Sequence, residues 1–192
     1  MKKTLLLGIL LLHGFALSAQ SYNIGIKYFG INIHPVGDIN AELFPIKLGS
    51  NGFLVPSFGA MLSFEKYVWK DIIAIELAIA NYTDCTQQFA GFTHLGFRAK
   101  IFSAGRHELN GGIGPTFIFR KNWYKLEGYD DTRNFYNGGN KNKDDEYQMR
   151  FIVYGGELEY DYRLKDNVDL SVTLIPGIPI LMSFAFGVRI RQ

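Results

Sequence analysis

The chain has 192 residues, of which 47% are hydrophobic, 15% aromatic and 20% charged, with a formal net charge of +2 and a single cysteine. A disulfide-stapled scaffold needs paired cysteines, a helical membrane protein needs apolar runs of about 18 residues, and a disordered chain needs far fewer rings. One compact domain with a real core remains, and the composition leaves open whether its outer face meets water or lipid.

The N-terminus has the order of a secretory signal: Lys2 and Lys3, an apolar segment from Leu5 to Leu12, and small residues Ala16, Ser18 and Ala19 near a cleavage point. Residues 1–19 are therefore expected to be removed, leaving 20–192 as one domain. Losing Lys2 and Lys3 makes the rest formally neutral, so no basic field is left to attract nucleic acid.

From residue 20 onward the pattern has period two, the signature of strands with one apolar and one polar face. Strands are expected over 22–34, 53–66, 71–82, 88–102, 106–121, 148–164, 168–175 and 180–191. In the second, Phe58, Ala60, Leu62 and Phe64 share one face and Gly59, Met61, Ser63 and Glu65 the other. In the third, Ile73, Ile75, Leu77 and Ile79 alternate with Ala74, Glu76, Ala78 and Ala80. Later strands follow the same rule: Leu95 and Phe97 oppose His94, Gly96 and Arg98, and Leu158 and Tyr160 oppose Glu157, Glu159 and Asp161. Connections after even-numbered strands are short, whereas those after odd-numbered strands include 35–52 and the polar stretch Asn122 to Tyr147. Long loops therefore gather at one end.

The apolar leader, the even number of amphipathic strands, the alternating short and long connections and the last strand from Ser183 to Gln192 resemble the small outer-membrane β-barrels of Gram-negative bacteria. In architecture the chain resembles the outer membrane protein X type and the membrane domain of outer membrane protein A. That resemblance implies an all-β, eight-stranded antiparallel transmembrane up-and-down barrel, with long loops outside the cell. It also implies contact with outer-membrane lipid and lipopolysaccharide, and a monomeric state.

Alternation alone does not say which face is inside, since a periplasmic lipocalin-like barrel would turn its apolar face inward around a lipid. Three features favour lipid outside. The polar face is rich in small residues (Gly59, Ser63, Ala74, Ala78, Gly96, Gly112, Gly114), which suit a narrow lumen. Aromatic residues gather near strand ends, with Tyr22, Tyr67, Trp69, Phe102, Tyr160 and Tyr162 toward the short turns and Tyr82, Phe89, Phe119, Trp123 and Tyr147 toward the loops. These suggest two interfacial girdles. Polar-face charges also pair when hairpins are folded about Ala104 and Asp166, bringing Lys100 to Glu108 and Arg163 to Asp169, as a poorly solvated interior requires.

Candidates for chemistry are few. Folding about Cys85 sets Glu76 opposite His94, a pairing that a general base would use, although a lumen histidine bonded to a carboxylate has the same appearance. Phe92 to Gly96, with Glu108 downstream, resembles the His-x-Ser stretch of lipid A deacylases, but Gly96 stands where the nucleophile belongs. A lipid A acyl-modifying enzyme is thus the alternative to a barrel without catalysis. His34 and Asp38 read as a solvated loop, Cys85 as a free thiol, and Asp130, Asp131, Asp144, Asp145 and Glu146 as loop charges. No catalytic, metal or cofactor residues are assigned. The segment 122–147, carrying Trp123, Tyr124, Tyr129, Phe135, Tyr136 and the polar run Asn137 to Asn140, suits recognition of an extracellular protein or glycan.

Overall fold

A computed structural model describes residues 21–130, 135–136, 142–177 and 181–192, so the leader and parts of the longest loop lie outside the described residues. The strands are β1 (Tyr22–Ile33), β2 (Leu54–Trp69), β3 (Ile73–Thr83), β4 (Phe89–Ala104), β5 (His107–Lys121), β6 (Tyr147–Lys165), β7 (Val168–Gly177) and β8 (Leu181–Arg191). Each pairs antiparallel with the next, and β8 returns to β1, closing an eight-stranded barrel that leaves no free sheet edge.

The turns explain why the hairpins close where they do. Lys70 and Asp71 both have positive φ, +46° and +53°, a geometry whose twist matches that of the flanking strands. Gly105, at φ +59°, serves the β4–β5 turn, where an ordinary side chain would be strained. The long-loop end collects 34–53, 84–88 and 122–146.

The barrel is inverted relative to a water-soluble one. Leu62 is 55% exposed and Phe97 62% exposed, whereas Glu65, Glu76, Glu159, Asp161, Asp169 and Arg189 are fully buried. No charged residue stands at the outward positions of 24–28, 60–64, 75–79, 93–97, 113–117, 170–174 or 184–188. Apolar surface of that extent is unfavourable in water at about 25 cal/mol per Å², and is at home in hydrocarbon. This is a transmembrane up-and-down barrel, and the lipocalin-like alternative fails because its apolar face would have to point inward.

Ions fill the short-turn half of the lumen. Arg189 grips Glu65 with two nitrogens, Nη2 to Oε2 at 2.7 Å and Nε to Oε1 at 3.0 Å, while its Nη1 lies 3.3 Å from Glu108, Asp161 and Asp169. Arg98 lies 2.7 Å from Glu159 and 3.3 Å from both Glu157 and Asp161. Lys27 joins Glu159 and Thr173. Buried charges are tolerated when paired and hydrogen-bonded in this way.

Arg163 faces Asp169 in register, with an ion pair at 3.9 Å. Lys100 faces Asn110 instead of Glu108, because the turn pairs Ala104 with His107 and is centred past Gly105, not on Ala104; a bulge between Lys100 and Phe102 takes back one residue of that shift. Its Nζ still reaches Glu108 Oε2 at 3.3 Å.

Two inward rings correct the girdle assignment. Tyr67 is buried with its hydroxyl 2.9 Å from Arg189 Nη2, and Tyr82 stacks on Phe29 with ring centres 4.2 Å apart. Trp69 and Phe102 do stand exposed at the short-turn end, and Phe89, Phe119 and Tyr147 form a chain of rings at the other.

Candidate functional site at the long-loop mouth

The loops fold inward over the long-loop mouth. Asp84, in the β3–β4 turn, accepts at Oδ1 from the Thr86 amide (2.9 Å), the Thr86 hydroxyl (2.8 Å) and the Gln88 amide (3.0 Å), which fixes the turn. Its other oxygen accepts from Trp123 Nε1 at 2.6 Å. Trp123 is thereby drawn over the opening and is 5% exposed, so it is a roof residue and not part of an interfacial girdle. It packs with Ala41, Phe44, Val55 and Cys85 into a small apolar core at the loop end of the barrel.

Side-chain amides staple the loops to one another. Asn40 Nδ2 donates to the Asp130 carbonyl at 3.0 Å while the Asp130 amide donates to Asn40 Oδ1 at 2.8 Å, tying loop 34–53 to the longest loop. Asn122 accepts from the Tyr124 amide and donates to the carbonyls of Asn142 (2.9 Å) and Asp145 (2.8 Å), closing the base of that loop. The Arg120 guanidinium lies 3.7 Å from the Trp123 ring centre and 4.1 Å from that of Tyr136, bonded to Gln148 Oε1 and the Tyr129 hydroxyl. Such stacking is favourable because the ring faces are electron-rich.

Beneath this roof lies a cavity of about 280 Å³ whose walls include His34, Asp38, Tyr82, Cys85, Arg120 and Tyr136. His34 is buried, which overturns its reading as a solvated loop residue. Its Nε2 lies 3.4 Å from Cys85 Sγ and its Nδ1 3.4 Å from Asp38 Oδ2, a thiol, imidazole and carboxylate in sequence. Burial pushes the Cys85 thiol up, with Asp84 and Asp38 adding to it, so the sulfur is protonated at neutral pH and is a poor nucleophile. Burial also acts to raise Asp38, but hydrogen bonds from His34 and the Asn40 amide prevail and hold its carboxyl below the usual value.

A second chamber of about 120 Å³ lies deeper and shares Tyr82, Tyr136, Leu181 and Ser183 with the first. Phe29, Phe92 and Ile118 line its apolar side, and His94, Thr116 and Glu157 its polar side. His94 stands opposite Ala78, and Glu76 opposite Gly96. The expected Glu76–His94 pairing is therefore wrong by two residues, because the turn is centred on Thr86 and not on Cys85. His94 Nδ1 instead lies 2.7 Å from the Thr116 hydroxyl.

The deacylase-like stretch does not assemble into a site. Gly96 faces the lumen without a hydroxyl, and Glu108 is committed to Lys100, Arg189 and Arg191. Of the loop acids, Glu146 pairs with Lys121 at 2.5 Å. Asp131 lies outside the described residues. Among the described residues no group of three or more His, Cys, Asp and Glu side chains is placed to hold a metal ion.

No protein-family model and no curated protein matches the sequence. Solved structures with a similar course include Ail, the attachment invasion locus protein of Yersinia pestis, in complex with the heparin analogue sucrose octasulfate. It has a TM-score of 0.49 at 10% identity, over 91% of this chain and 100% of that one. The N-terminal β-barrel domain of Pseudomonas aeruginosa OprF has a TM-score of 0.47 at 12% identity, over 88% and 97%. Neisserial surface protein A has a TM-score of 0.45 at 10% identity, over 91% and 96%.

Proposed function

We propose that the chain is a monomeric integral protein of the outer membrane, delivered with cleavage of residues 1–19 and surrounded by outer-membrane lipid and lipopolysaccharide. Its lumen is closed by ions, and its work is membrane integrity or the capture of an extracellular protein or glycan by the loops, without catalysis. The observation that carries this reading is the inversion of polarity: leucines and phenylalanines outside, arginines and glutamates within.

The loops contribute unequally to binding in this reading. Trp123 and Tyr124 are buried and serve as roof, so they are not the outward anchors that the composition of 122–147 suggests. Val36, Ile39 and Leu48 on loop 34–53 are each more than 60% exposed and offer the apolar contacts that a partner would cover.

Cell fractionation tests the location. The mature chain should stay with membranes through a carbonate wash and migrate faster unboiled than boiled in detergent gels. Release into the soluble fraction would overturn the reading. The competing lipid A chemistry is tested by mass spectrometry of lipopolysaccharide from cells with and without the gene, where unchanged acylation is expected. A change in acylation lost on His94→Ala would reverse the assignment.

A further inference from the structure

The polar side of the deeper chamber leaves a buried nitrogen without a partner. His94 Nδ1 lies 2.7 Å from Thr116 Oγ1, which is also 3.4 Å from the Gly114 carbonyl; with the hydroxyl proton turned to that carbonyl, Nδ1 is the donor. That tautomer leaves His94 Nε2 as a bare acceptor. The atom is buried and has no hydrogen-bond partner, in a side chain only 5% exposed. It projects into the gap left by Gly96, where a Cβ would stand 2.4 Å from it. A second acceptor borders the same chamber: Glu157, whose Oε1 is held by Arg98 at 3.3 Å.

The rest of the lining is apolar: Phe92 and Ile118 stand one level nearer the loops on the same two strands as His94 and Thr116, and Phe29, Ile152 and Ile175 complete it. The route in is the larger vestibule, through the shared residues Tyr82, Tyr136, Leu181 and Ser183. Two acceptors at one level and a greasy lining at the next specify a molecule with N–H donors at one end and a hydrocarbon or ring at the other. The carboxylate prefers that the donor be cationic, and aromatic faces along the path tolerate a cation.

We propose that the chamber is a binding site for small primary amines with an apolar body, entering from the loop end and seating the ammonium between His94 Nε2 and Glu157. Engineered apolar cavities of about 150 Å³ accept benzene, so a single ring with a short tail is the right scale for the two connected chambers. The site lies inside the strand wall, and the proposal does not depend on the cellular location or partners of the barrel.

The test uses the full mature chain, folded in detergent, with benzylamine, benzyl alcohol and toluene as probes in calorimetry or ligand-observed NMR. Benzylamine should bind saturably. Benzyl alcohol should bind about ten-fold more weakly, the worth of one hydrogen bond from a charged donor, and toluene weaker still. His94→Leu, which keeps bulk but removes the acceptor, should weaken benzylamine and benzyl alcohol alike, whereas Glu157→Gln should weaken benzylamine alone. Ile175→Trp, distant from the polar network, should abolish all three and separate the site from partition into the micelle. Each variant is checked by its unboiled gel mobility. Equal affinity for the three probes, or benzylamine binding unchanged in both His94→Leu and Ile175→Trp, would overturn the proposal. So would absence of benzylamine binding in the millimolar range to a folded barrel, which would mean that water alone serves Nε2.

Discussion

The two halves of the lumen are built on opposite terms. Toward the short turns, Arg98 and Arg189 are each surrounded by several carboxylates. Toward the loops, rings and small residues take the place of that cluster and two chambers open. A closed barrel needs matched charge only where nothing is to enter. Under the proposed function, the half that leaves room is where recognition belongs, and the ionic half is the plug.

The largest test of that division is Arg189→Met. Removing the guanidinium takes the shared cation from Glu65, Asp161 and Asp169 at once, leaving Arg98, Arg163 and Arg191 beside them, and breaking a buried pair in this way costs about 3–5 kcal/mol. Urea unfolding followed by gel mobility should show it, and a near-neutral result would mean that water enters the plug freely. Trp123→Ala should come next. It removes the roof and costs up to about 3 kcal/mol of local stability, seen as rapid proteolysis within 122–147 while the strands stay protected. If the barrel itself is destabilised, the mouth and wall are one cooperative unit.

Asp84→Asn is a smaller perturbation, about 1–2 kcal/mol, because it weakens the bond to Trp123 and the charge-assisted bonds of its own turn. It should loosen both loops in hydrogen exchange. Cys85 should react slowly with maleimide in the folded protein and fast once unfolded, since burial keeps the thiol protonated. Fast labelling of the native barrel would place the sulfur at an open surface.

The smallest effect is pH-dependent. Asp38 titrates near 3.8 when unfolded and lower when folded, so its contribution is complete above the unfolded value and is lost as pH falls through the folded one. The Asn40 amide, which donates to Asp38 Oδ1 at 2.8 Å, should lose exchange protection over that interval, and Asp38→Asn should flatten the dependence.

What could be read from the sequence followed from what is local. Period-two alternation is written residue by residue, so strand positions and the lipid-facing side were legible to within a few residues of each end. Tyr67 and Tyr82 were legible too: each keeps the inward parity of Glu65 and Ala80, and their place near strand ends obscured it. The mouth is a different matter. Trp123 lies past the end of β5, where parity has no meaning, and its partner Asp84 is in another hairpin. His34 meets Cys85 from a separate loop, and the Glu76–His94 register turned on whether the turn is centred on Cys85 or on Thr86, which moves every pair by two residues. Bulges such as that between Phe29 and Ile31 hide in the same way, because one extra residue leaves no mark on composition.

Arg189 sits on β8 and gathers acids from β2, β5, β6 and β7. A sheet assembled only as far as β7 would hold those carboxylates crowded together in a greasy environment, short of the guanidinium that neutralises them. Incomplete intermediates are thereby penalised, and docking of the final strand is the event that relieves the repulsion. Seam closure and charge neutralisation become a single step, so β8 acts as the latch for the whole cylinder.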